Sequence, residues 1–348
     1  MSPDDTRSSL QPMLGLYDIL ELEHFQPTLP TDLTGEAERR RFGTLLAKRA
    51  DTICPQEALR SPTGGTVLRK VITPDGEVFA LKILDMGLVK NDACGGVEDD
   101  AAAASLRRAW ERAFLEEYRC HLAVSQLHGF PELHGIGIIG GNPAMLMEWV
   151  EGPTLGQAAH QFGGNAETIA RLGIDILEVL MATRVLNKPF VHRDLSPRNV
   201  IIGDRGITLV DFGSSSFDKP GSLTFTMHFD VWRSGTAEYA APEMLTRDIP
   251  GIERRRTSPT IDTYALCSVL YELLCGRTPF MLCLRPSSSA YRVKMDELPE
   301  RVDLGERAAN ELEELLLDGM AAEQDGRYSV EGMLCALRGW LDRYRGCE

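Results

Sequence analysis

The chain has 348 residues, 43% of them hydrophobic, and a formal net charge of −14. That length can bury a substantial core in one large or two medium domains. The acidity argues against a nucleic-acid partner, which needs clustered Lys and Arg against phosphates, and no apolar run approaches the ~20 residues that span a bilayer.

The first residues, Met1-Ser2-Pro3-Asp4-Asp5-Thr6, carry neither a basic region nor an apolar run, so no secretory signal is expected. Residues 1 to about 48 mix Pro, charged and Leu residues without a clear period and read as an N-terminal extension of unassigned role. Thr66–Ile72 and Glu77–Leu84 are β-type segments around Thr73-Pro74-Asp75-Gly76, which predicts a hairpin. Residues 86–104 are rich in Gly, Asp and Ala and read as an insertion. In Leu106–Val124, Leu106, Trp110, Ala113, Cys120 and Val124 recur at helical spacing, and Glu117 falls on that inward face while Glu116 does not. A carboxylate on an apolar face needs a partner. Beyond Gly156 helices are predicted at 165–186, 260–275, 305–320 and 329–344, with Asn165 and Thr260 as N-caps and Gly276 as a helix-ending glycine. Strands in front and helices behind predict an α+β chain of two lobes. The eight cysteines are scattered without a C-x-x-C pair, so they read as thiols of a reducing, cytoplasmic setting.

The most informative stretch is Val191-His192-Arg193-Asp194-Leu195-Ser196-Pro197-Arg198-Asn199-Val200, followed 12 residues after Asn199 by Asp211-Phe212-Gly213. Two carboxylates and an amide in this pattern suit the orientation of a hydroxyl and the holding of a metal ion beside a polyphosphate. The pair resembles the H-R-D-x-x-x-x-N loop and D-F-G motif of eukaryotic-type protein kinases. Val78-Phe79-Ala80-Leu81-Lys82 resembles that family's V-A-I-K strand, with Val67 at the matching distance before Lys82. Gly235-Thr236-Ala237-Glu238-Tyr239-Ala240-Ala241-Pro242-Glu243 is similar to the G-T-x-x-Y-x-A-P-E end of a Ser/Thr kinase activation segment.

The resemblance covers roughly residues 50–345 and implies a bilobal fold. A small antiparallel-sheet N-lobe (about 49–148) would sit over a helical C-lobe (about 152–345), both within a domain of 49–345, with ATP in the cleft. It implies Asp194 as the catalytic base, Asn199 and Asp211 as Mg²⁺ ligands, and Lys82 on the ATP phosphates with Glu117 as its partner. Met147 would be the gatekeeper, the backbone of Glu148 and Val150 would bond adenine, and Val67, Ala80 and Ile201 would sandwich its ring. Glu243 would pair with Arg327, Asp262 would be the central-helix aspartate, Thr236 would support Asp194, and Arg193 would receive an activation-segment phosphate. His192 reads as a packed structural residue.

Two departures stand out. Arg60 and Pro62 replace the first two glycines of the phosphate loop, leaving Gly64 and Gly65 as its tip, an expected loss of about 1–2 kcal/mol in nucleotide interaction. Ser196 replaces the usual lysine; Arg198 matches the arginine that many tyrosine kinases carry there, and could reach the same phosphate. The implied activity is Mg²⁺- and ATP-dependent transfer to protein substrates, Ser/Thr before Tyr, with autophosphorylation at Thr224 or Thr226 allowed. A pseudokinase scaffold and a small-molecule kinase are the alternatives.

Overall fold

A computed structural model describes residues 54–60, 65–72, 78–85, 100–139, 142–217, 236–285 and 287–346. The N-terminal extension, the bend at 73–76, most of the 86–104 insertion, Gly64, Thr224 and Thr226 lie outside the described residues. The chain divides into two compact units, one of Met1–Arg119 and Glu132–Trp149, the other of Cys120–Pro131 and Val150–Glu348.

The first unit is built on a five-stranded antiparallel sheet of order β1-β2-β3-β5-β4: β1 Cys54–Arg60, β2 Thr66–Ile72, β3 Val78–Leu84, β4 Leu133–Ile139 and β5 Asn142–Glu148. β3 lies at its centre, with Phe79, Ala80, Leu81 and Leu84 buried. Its register places Lys82 opposite Leu68 and Met145, and Ala80 opposite Lys70 and Met147. Helix α1, Asp100–Val124, starts in this unit, and its residues from Cys120 onward belong to the other. Trp110, Ala113, Phe114, Glu117 and Tyr118 are buried at the three- and four-residue spacing of one helical face.

The second unit is mostly helical: α2 Leu155–Ala158, α3 Ala166–Ala182, α4 Ile252–Arg255, α5 Thr260–Cys275, α6 Ala290–Asp296, α7 Arg307–Gly319 and α8 Val330–Arg345. Two short antiparallel pairs join them, β6 (Phe190–Val191) with β9 (Ser216–Phe217) and β7 (Val200–Gly203) with β8 (Gly206–Leu209). A sheet-built unit followed by a helical one is the α+β class the sequence predicts. In α5 every residue from Ile261 to Tyr271 is buried, which is the pattern of a core helix and not of a surface one. Leu266 and Leu270 of α5 join Ile176 and Leu177 of α3 and Leu337 and Trp340 of α8 in one core, each such side chain contributing about 1.5–3 kcal/mol on burial. Gly173 permits that close packing, since a Cβ there would lie 2.6 Å from Leu270 and 2.9 Å from Leu337.

The Asn165 side chain accepts the Thr168 N–H at the start of α3, a capping bond worth about 1 kcal/mol. Gly276 closes α5 in the left-handed region, φ 72°. Thr260 is not a cap: Pro259 holds the N-cap position and Thr260 is the first helical residue, its hydroxyl 2.8 Å from Ser258 Oγ.

Candidate functional site

In the second unit, α5 sets the loop that follows β6. Asp262, 1% exposed, accepts the N–H of His192 at 2.7 Å and of Arg193 at 2.8 Å. Burial pushes its carboxyl up to about 6, against the downward pull of those two bonds and of the Arg193 charge. Arg193 holds a left-handed backbone, φ 66°, a conformation that costs a non-glycine residue about 1–3 kcal/mol and persists where surroundings over-determine it. Its Nε donates to the Arg256 carbonyl at 2.7 Å. The His192 ring is fully buried, its Nε2 3.2 Å from the Val210 carbonyl. Burial lowers its pKa to about 4, overcoming the opposite pull of Asp211, so the ring is neutral near pH 7 and acts as a packed group.

Asn199 is the hub. Its Nδ2 donates to the Asp194 carbonyl at 2.8 Å and to Asp194 Oδ2 at 3.0 Å, while its own carbonyl accepts the Val210 N–H at 3.0 Å. Asp211 follows with φ 66°, and Phe212 turns inward to pack on the rings of His121, Phe130, Phe190 and His192. One amide therefore ties the Asp194 carboxylate to the main chain that presents Asp211. With its N–H groups turned to Asp194, Asn199 has its amide oxygen as the remaining side-chain atom for a metal, and an amide oxygen plus a carboxylate is a set that suits Mg²⁺.

In the first unit, Lys82 Nζ meets Glu117 Oε1 at 2.5 Å, both side chains nearly out of solvent. Glu116 bonds Arg119 instead. Gly65 immediately precedes β2, and a Cβ on it would clash with the Trp110 ring of α1; its bare Cα makes room for that indole.

The register sets the face on which Val67 stands. Val67 lies opposite Ile83, and directly paired residues share a face while neighbours alternate. Val67 thus sits on the face of Phe79, Leu81 and Ile83, away from Ala80 and Lys82. The Glu148 N–H donates to the Glu132 carbonyl at 2.8 Å. Met147 and Val150 are half-buried, and Ile201 pairs with Thr208 and bridges to Thr154. Arg198 is exposed, whereas Ser196 is 1% exposed and its hydroxyl has no partner among the described residues. The Thr236 side chain lies outside the described residues. Further along, Arg327 grips Glu243 through two bonds of 2.6 and 2.9 Å.

A family model for the protein kinase domain matches residues 61–336. The chain belongs to the protein kinase domain family. Its curated relatives include a probable cAMP-dependent protein kinase catalytic subunit of Encephalitozoon cuniculi, 29% identical over 58% of this chain and 53% of the relative. A probable serine/threonine-protein kinase PknB of Lactococcus lactis is 29% identical over 59% of this chain and 31% of the relative. A putative serine/threonine-protein kinase of Mycoplasma pneumoniae is 29% identical over 41% and 38%. The chain thus spans about half or less of the length of these kinases. Within the protein kinase family pattern, the sequence motifs missed Lys294, buried in α6, and Glu272 at the end of α5. A lysine within a seven-residue helix carries no sign of burial in its sequence.

Proposed function

We propose that this kinase-family chain transfers the γ-phosphoryl group of ATP to Ser or Thr hydroxyls of protein substrates, with Mg²⁺ held by Asn199 and Asp211. The observation that carries the reading is Asn199, whose side-chain amide N–H groups bond the carbonyl and the carboxylate of Asp194 while its main-chain carbonyl accepts the N–H of Val210, next to Asp211. Asp194 orients the acceptor hydroxyl and takes its proton as the oxygen bonds to the γ-phosphorus and the bond to the ADP oxygen breaks. Lys82, paired with Glu117, binds the α- and β-phosphates. Bound Mg²⁺ supplies charge neutralisation across the phosphate oxygens. Ala80 and Ile201 contact adenine, with Met147 as gatekeeper and Glu148 and Val150 as backbone partners, and Arg198 faces the phosphate that Ser196 cannot reach. Gly64 and Gly65 form the shortened lid.

The preference for Ser/Thr rests on the Gly235–Glu243 segment and on the names of the relatives. The kinase domain covers 49–345, its N-lobe about 49–148 and its C-lobe about 152–345, after the extension 1–48. Autophosphorylation at Thr224 or Thr226 would give Arg193 its anion. The scatter of the eight cysteines, without a C-x-x-C pair, supports a reducing, cytoplasmic setting. Among the described residues no helix is long and apolar enough to cross a membrane.

The test incubates the protein with Mg²⁺, labelled ATP and a basic protein, beside Asp194→Ala, with mapping of the labelled residues. Label on Ser or Thr that falls about 10²–10⁴-fold in the variant supports the reading. Ser196, buried and without a cation's reach, favours a second reading, a nucleotide-binding pseudokinase. Nucleotide binding with no transfer to any acceptor would establish it.

A further inference from the structure

We propose that Lys294 is a positioning residue for the acceptor polypeptide: from α6 it holds the main chain on both sides of Tyr239 and so sets one wall of the cavity beside the Asp194 loop. This rests on the kinase reading above.

Lys294 is 1% exposed. Its Nζ donates to the Glu238 carbonyl at 2.8 Å and to the Ala240 carbonyl at 2.7 Å, and it lies 5.2 Å from the Tyr264 ring centre and 5.5 Å from that of Phe280. A buried ammonium is costly unless dipoles or ring faces compensate it. Here two carbonyls and two rings do so, and both carbonyls belong to the segment that ends in Ala241-Pro242-Glu243. That segment is fastened twice more. The Glu238 carboxylate accepts the N–H of Leu282 at 3.1 Å and of Cys283 at 2.6 Å, and the Tyr239 hydroxyl donates to Glu272 Oε2 at 2.8 Å.

Tyr239 and Glu272 line a cavity of about 780 Å³ whose other wall includes Pro197 and Arg198, neighbours of Asp194 and Asn199 on one loop. A group that reaches Asp194 from this side passes Tyr239. Met would fill the Lys294 site with similar volume and no charge to bury, so filling space does not explain the lysine. Fixing two specific carbonyls does. Lys294 touches neither acceptor nor nucleotide, and its effect passes through the backbone of 238–240.

The full-length protein and Lys294→Met are compared by initial rates, varying first a basic protein acceptor and then ATP, with ATP hydrolysis in the absence of acceptor as a third readout. Losing two buried donor contacts should raise the acceptor KM about tenfold. The ATP KM and the acceptor-free hydrolysis should stay within about twofold, because neither depends on Tyr239. An unchanged acceptor KM, or equal changes in both KM values, overturns the proposal. If K294M melts too low to assay at the standard temperature, the same rates are read for both proteins at a temperature below its melting point. A rise in acceptor KM alone then supports the proposal, and no change overturns it. A wild-type chain that transfers nothing to any acceptor removes the kinase reading and this inference with it, whereas normal transfer with an insensitive acceptor KM removes the inference alone.

Discussion

Two lysines are buried among the described residues, and they are held in opposite ways. Lys82 meets a carboxylate at 2.5 Å; Lys294 meets two main-chain carbonyls and two aromatic faces. A full opposite charge keeps an ammonium charged and available to phosphates. Dipoles hold it in place but stabilise its charge less, and burial drags the Lys294 pKa down to about 7, against the upward pull of Glu238 and Glu243 and with a further downward push from Arg327. The first arrangement suits a residue whose charge is used, the second one whose geometry is used.

The sharpest way to break this contrast is Lys82→Met. It leaves Glu117 buried without its cation, an expected loss of roughly 3–5 kcal/mol in urea unfolding, with transfer lost as well. Adding Glu117→Leu should restore most of the stability and none of the transfer. A double variant as unstable as the single one would contradict the pairing. Lys294→Met should cost less. Its two bare carbonyls carry a penalty of about 1–3 kcal/mol, partly offset by removal of a buried charge, so a loss equal to that of Lys82→Met would erase the distinction.

A further effect is in pH. In the folded chain Lys294 gives up its proton near 7, but in the unfolded chain only near 10.5. Between those values the unfolded state binds more protons, so stability attributable to Lys294 rises with pH across the window. Melting curves of wild type minus K294M from pH 6.5 to 9.5 should show that upward slope. A flat difference would mean the folded lysine keeps an ordinary pKa.

Much of the fold was legible in advance because its signals are local. The helices of the second unit follow apolar spacing closely: 165–186 against Ala166–Ala182, and 260–275 against Thr260–Cys275. Asn165 and Gly276 punctuate them because an amide acceptor and a left-handed backbone are needed at those ends and nowhere else nearby. Thr260 misled because Pro259 can take the N-cap position without a side-chain bond. The Asp194–Asn199–Asp211 spacing was readable since one loop and one hairpin bring these positions together.

Other features were not written in any short window. The face of Val67 is set by its pairing with β3, and a slip of one residue inverts every side chain. Gly65 looks like part of a phosphate lid, yet its bare Cα is also needed by the Trp110 indole. Composition and periodicity determined where this chain is helical or extended and which polar groups stand near one another along it, for these depend on a few neighbouring bonds. Which face a strand presents, which lysine loses its water and which carbonyls it seizes were decided by packing between segments far apart in the chain, because desolvation exists only once those segments have met.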